Sequence, residues 1–150
     1  MSHNLLDLRH LSAAKPPVVA TVRLTVPRSR DFLCVVRCVM MHVGAHTTLS
    51  VPHLEDLRVA TNEACVLVMD NCDPWQRSVD FRFDELSDGI DMEVRAATDT
   101  RYRAPPWIDV NSFSWTLLDA LVDSLSWEAD ATSIAIHLTK HAPQTTSNVN

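Results

Sequence analysis

Apolar and polar residues alternate from Val18 to Val26: Val18, Ala20, Val22, Leu24 and Val26 share one face, Thr21, Arg23 and Thr25 the other. A period of two predicts a half-buried strand, and Pro27 ends it. From Asp31 to Val43 the spacing becomes helical, with Phe32, Val35, Val36, Val39, Met40 and Val43 recurring three and four apart and Gly44 placed as a stop. A second helix is predicted over Pro52 to Asn71. Ser50 is its candidate cap, Pro52 stands in the first turn, and Glu55 and Asp56 lie near the positive end of the dipole. Asp73-Pro74 closes it.

Period two returns from Arg77 to Phe83, where Val79, Phe81 and Phe83 oppose Ser78, Asp80 and Arg82, and again through Ile90, Met92, Val94 and Ala96. With Gly89 turning the chain, these runs predict an antiparallel hairpin. Thr98 to Val110 reads as an irregular loop. Asn111 or Ser112 can cap a third helix running to about Trp127, with Phe113, Leu117, Leu118, Leu121 and Leu125 inward and Asp119 and Asp123 on its solvent face. A last strand spans Ser133 to Thr139 through Ile134, Ile136 and Leu138. The predicted order is strand, helix, helix, strand, strand, helix, strand. Each strand is apolar on one face only, which calls for a mainly antiparallel sheet with helices on one side, an α/β (α+β) two-layer sandwich. The domain is expected over residues 16–141, between a flexible N-terminus at 1–15 and a flexible tail at 142–150.

A chain of 150 residues suits one domain. No apolar run approaches the ~20 residues of a membrane span, and the first residues lack the apolar core of a signal peptide, so a cytoplasmic protein is expected. A net charge of −6 argues against a broad nucleic-acid footprint. Cys34, Cys38, Cys65 and Cys72 form no disulfide framework, and we expect reduced, buried thiols. Cys38, His42 and His46 fall at i, i+4 and i+8, but no CxxC or HExxH motif accompanies them, and no metal site is expected.

The segment Leu54 to Met69, LEDLRVATNEACVLVM, carries one glutamate, Glu63, on an otherwise apolar helical run. A carboxylate there is costly to bury unless it is paired, bound to a metal or used as a base. The segment resembles the N-box helix of the GHKL (histidine kinase-like) ATPases, in the form found in anti-sigma factors of the serine-protein kinase type. A second stretch of resemblance is Asn111 to Leu125, NSFSWTLLDALVDSL. The likeness extends over about Val18 to Lys140.

That resemblance implies a catalytic role for Glu63, which orients the attacking nucleophile in the family's working enzymes. It also implies a magnesium-binding asparagine four residues on, where this chain has Leu67, a residue with no oxygen to offer. Asn62 and Asn71 are near in sequence but out of register. Asp99 is the match for the adenine-contacting aspartate, while Arg101 and Arg103 replace the glycines that follow it and could attract phosphate. The start of the last helix, Val110 to Trp115, also lacks the family's glycines. ATP and Mg²⁺ are thus implied as cofactors, at a site that has lost much of its binding chemistry.

The partners implied are an alternative sigma factor and an anti-anti-sigma (STAS-type) protein, with Arg37 as the matching contact residue on the first helix and a homodimer as the assembly. Arg28 and Arg30, at the entrance to that helix, form a small basic spot and are further contact candidates. No direct nucleic-acid or membrane contact is expected. Two other readings stay open on the residues: an active Mg-ATP-dependent serine kinase acting on the anti-anti-sigma protein, and an unrelated α/β protein-binding module. Glu63 can equally be a partly exposed residue paired with a nearby arginine, and Asp99 a turn residue.

Overall fold

A computed structural model describes residues 16–98 and 106–144. Five strands form one sheet in the order β1-β2-β3-β5-β4: β1 Val18–Pro27, β2 Ser78–Leu86, β3 Gly89–Ala97, β4 Ser124–Ala129 and β5 Ser133–His141. Every neighbouring pair is antiparallel. Three helices, α1 Leu33–Ala45, α2 Val51–Asn71 and α3 Phe113–Leu121, cover one face. The two-layer arrangement is the one the alternation predicts. The segments expected to be flexible lie outside the described residues, apart from 142–144 of the tail.

The sheet face under the helices is apolar because alternate residues point there. Val79, Phe81 and Phe83 of β2, Ile90, Met92, Val94 and Ala96 of β3, and Ile134, Ile136 and Leu138 of β5 are all buried. Leu57, Ala60, Ala64, Cys65 and Val68 of α2 join them in one core, with Val36, Met40 and Val43 of α1 and Leu118 of α3. Burying the Phe83 side chain alone is worth about 1.5–3 kcal/mol of transfer free energy.

Several elements depart from the sequence reading. The third helix ends at Leu121 rather than near Trp127, and residues 124–129 form β4 at the sheet edge. Leu125 and Trp127 still pack on the core, but as strand residues opposite Leu138 and Ile136. Lys140 Nζ takes the Leu121 carbonyl at 2.8 Å, and the Asp123 N–H donates to Thr139 O at 2.9 Å. The second bond starts the β4–β5 ladder, so Asp123 is not on a helix. Phe113 and Phe32, predicted inward, are 81% and 39% exposed. Val35 is exposed as well, because Leu33 takes the inward position on α1.

Gly44 is not a terminator. The helix continues to Ala45, and Gly44 is buried where a Cβ would run into Leu54 of α2. Ser50 precedes α2 as foreseen, but its hydroxyl meets His53 Nδ1 at 2.9 Å instead of a backbone N–H. The hairpin turns at Ser87 and Asp88, and Gly89 is already in β3. Cys34 and Cys38 are exposed, against the expectation of burial, whereas Cys65 and Cys72 are buried.

The outer face of the sheet is polar. Arg95 links Glu93 (2.9 Å) to Glu128 (2.7 Å), and His137 stands 3.3 Å from Glu93 and 3.5 Å from Glu128. Arg82 Nε lies 3.1 Å from Asp84 Oδ2, off the line of a hydrogen bond, so that pair is a charge contact. Burial would raise the Glu93 carboxyl, but the hydrogen bond and charge of Arg95, with Arg82 and His137, hold it below its usual 4.5. A carboxylate lowered by folding stabilises the fold above its unfolded pKa, and the contribution is lost as pH falls through the folded value. Melting temperature should therefore fall on acidification below about pH 4.5. Glu93→Gln should flatten that fall; an unchanged slope between pH 5.5 and 3 would show that Glu93 does not carry it.

Candidate functional site

Helix α2 presents the candidate site. Its sheet-facing row is Leu54, Leu57, Ala60, Thr61, Ala64, Cys65, Val68 and Met69, with two alanines allowing close approach to the strands. Thr61 lies in this row with its hydroxyl on Met92 Sδ at 3.5 Å. Glu63 is half-buried on the flank, with no hydrogen bond or ion pair to any described residue. No described arginine neutralises it. Two residues on, the Cys65 thiol is pushed up to about 12 by burial, so it stays protonated and is no nucleophile near neutral pH.

Each asparagine near Glu63 makes one side-chain hydrogen bond. Asn62 Oδ1 accepts from Arg37 at 3.3 Å, and Asn71 Nδ2 donates to the Leu67 carbonyl at 2.8 Å. Leu67 itself packs against the core. Four residues beyond Glu63 there is therefore an apolar side chain in a hydrophobic cluster, with the Asn62 oxygen engaged by Arg37.

The start of α3 is self-capped in the same way. Asp109 Oδ1 accepts from Asn111 N at 2.9 Å, Asp109 O from Ser112 N at 3.1 Å, and Ser112 Oγ from Trp115 N at 3.2 Å. A helix start receives phosphate through free N–H groups and a positive dipole end. Here Ser112 caps one helical N–H, that of Trp115, and the Asp109 carboxylate adds a negative charge to the turn before the helix.

No protein-family model matches the chain. Anti-sigma-F factor RsbW of Mycobacterium tuberculosis, in strains CDC 1551 / Oshkosh and ATCC 25618 / H37Rv, is 29% identical over 107 residues, covering 71% of this chain and 61% of that protein. The chain thus spans about three fifths of the length of these curated relatives. A crystal structure of the RsbU and RsbW domains of Rv1364c from Mycobacterium tuberculosis shares the fold. It superposes with a TM-score of 0.52 at 15% identity over 82% of this chain and 32% of that one.

The chain is thus similar in sequence to anti-sigma-F factor RsbW and shares the fold of an RsbW domain.

In this fold the site residues foreseen in the sequence separate into three groups. Glu63 stands on the helix expected of it, half-buried and unpaired among described residues. Asp99, Arg101 and Arg103 lie outside the described residues. The three arginines near α1 do different things. Arg28 is turned inward on backbone, donating from Nε to Met69 O at 3.1 Å and from NH1 to Pro74 O at 3.0 Å. Arg37 is half-buried against Asn62. Arg30 keeps its charge in solvent, in a loose 3.6 Å pair with Asp70 of the sort that adds little stability.

Sequence reasoning missed Trp75, which is 88% exposed just after α2. Its loop is fixed by Asp73, whose carboxylate accepts from Trp75 N at 2.9 Å and whose carbonyl accepts from Gln76 N at 2.9 Å. The signal was present in Asp73-Pro74-Trp75, an aromatic placed inside a turn rather than in a periodic run. Among the described residues no group of three or more His, Cys, Asp or Glu is arranged to hold a metal, and no helix is long and apolar enough to cross a membrane.

Proposed function

We propose that the chain is an anti-sigma factor that holds an alternative sigma factor away from RNA polymerase and yields it to an anti-anti-sigma partner of the STAS type. The observation that carries this reading is the state of the nucleotide face. Glu63 remains, but the magnesium position is a core-packed leucine and the start of α3 is capped by Asp109 and Ser112. Phosphoryl transfer depends on positioning and on neutralising charge, and these changes remove groups that would do both. Protein binding needs only the fold and its surface. ATP and Mg²⁺ are consequently weak ligands in this reading, with Asp99, Arg101 and Arg103 as their remaining contacts.

Arg30 and Arg37 are assigned to the partner surface. Self-association is assigned to the edge strand β1, where Val18, Val19 and Val22 are exposed beside unpaired backbone groups. The place of action is the cytoplasm, where the polymerase is.

The test has two arms. Purified chain titrated with purified alternative sigma factors should give a stable complex with at least one, at about micromolar affinity or better. Calorimetry should detect no ATP binding below about millimolar nucleotide, with or without Mg²⁺, and Glu63→Ala should leave sigma binding within about twofold. Failure to bind any sigma factor would overturn the reading. Micromolar, magnesium-dependent ATP binding that Glu63→Ala converts into loss of phosphotransfer would replace it with the kinase.

A further inference from the structure

Along the exposed side of α1, His42 and His46 stand one turn apart at the C-terminal end of the helix. Their ring centres are 4.7 Å apart with the planes at 72°. Two imidazoles whose nitrogens bind one ion at ~2.0–2.1 Å have ring centres about 4.5–5.1 Å apart, for ligand angles between octahedral and tetrahedral. The observed spacing of the ring centres falls inside that interval.

A second feature concerns the His46 ring. Its Nδ1 lies 2.9 Å from the carbonyl oxygen of His42. A carbonyl only accepts, so Nδ1 carries the hydrogen and, in the neutral ring, the lone pair is left on Nε2. A backbone carbonyl on the other ring nitrogen is the usual way a histidine ligand is oriented and made more basic. The setting favours a cation too: the last carbonyls of α1 carry the negative end of the helix dipole, and the chain has a net charge of −6.

We propose that His42 and His46 form a two-imidazole chelate for a borderline transition-metal dication such as zinc, nickel or copper, on the outer face of α1. Such ions match imidazole donors, whereas magnesium and calcium prefer oxygen. Two protein ligands leave the remaining positions to water or to a donor from a bound partner, so this is an open surface site and not a structural knuckle. Exposed Cys38, one turn before His42, is a candidate for a competing Cys38–His42 pair, and the test separates the two.

Zinc chloride would be titrated into the full chain by calorimetry near pH 7.5, followed by cobalt spectroscopy. Saturable binding of one ion per chain is expected, weakened at least about tenfold by His42→Ala and by His46→Ala. His53→Ala, on α2, should leave it unchanged. Cobalt should show no thiolate charge-transfer band. No saturable binding up to about 1 mM zinc would overturn the proposal. So would affinity insensitive to His46→Ala, or binding abolished by Cys38→Ser alone. Both histidines are exposed, so unchanged melting curves should accompany the variants.

Discussion

Replacing Gly89 with alanine is expected to lower the melting temperature by roughly 6–12 °C, the effect of about 3 kcal/mol on a domain of this size. Gly89 opens β3 opposite His141 of β5, and it is buried. A Cβ built there collides with the backbone oxygen of Lys140 and stands 3.0 Å from His141 Cα. Backbone in a ladder cannot swing away as the end of a side chain can. Relief therefore requires moving the β3–β5 register, which also carries Met92 against Leu138 and Val94 against Ile136 in the core. Its φ is not positive, so steric approach and not conformational freedom demands the glycine. Gly44→Ala meets the flexible end of Leu54 instead and should cost less. Thermal melts of both variants check the argument. Equal, small losses would mean the sheet yields more easily than the register implies.

That contrast bears on what the sequence can disclose. Strand alternation is a local property, so β2, β3 and β5 were legible from residues such as Val79, Phe81 and Phe83. The α3–β4 boundary was not. Leu121 and Leu125 are four apart and continue a helical stripe, while Leu125, Trp127 and Ala129 also satisfy period two. What decides between them is non-local: Lys140, from a strand formed later in the chain, takes the Leu121 carbonyl and helps to end the helix. Gly44 misled for the same kind of reason, since its role is set by Leu54 on another helix.

The candidate site was legible to a similar depth. The N-box likeness placed Glu63 on a helix, where it is found. Spacing could show that Leu67 offers no oxygen. It could not show that the Asn62 oxygen is already held by Arg37, that the Asn71 amide donates to the Leu67 carbonyl, or that Ser112 caps Trp115 N at the start of α3. These hydrogen bonds engage some of the groups that would otherwise be available to a nucleotide. The contact between Arg37 and Asn62 is non-local and could not be read from the spacing of the residues alone.

Arg28→Ala should destabilise the protein by about 2–4 kcal/mol, or roughly 4–16 °C in melting temperature, while leaving sigma-factor affinity within about twofold. Sequence position made Arg28 a partner contact beside Arg30. In the fold its guanidinium spans two backbone carbonyls, Met69 in the last turn of α2 and Pro74 in the loop beyond, while its own N–H donates to Arg77 O at 2.8 Å. Hydrogen bonds from a charged donor contribute about 1.5–3 kcal/mol each, and a cation at a helix C-terminus adds to them. Removing the side chain leaves both carbonyls without it and loosens the loop that presents Trp75. Arg28→Lys keeps the charge but loses the fork that reaches both oxygens, so it should recover only part of the stability. Arg30→Ala should do the reverse, with little change in melting and a measurable loss of sigma binding. A thermally normal Arg28→Ala protein that no longer binds sigma would reassign Arg28 to the interface and leave the α2 C-terminus held by other groups.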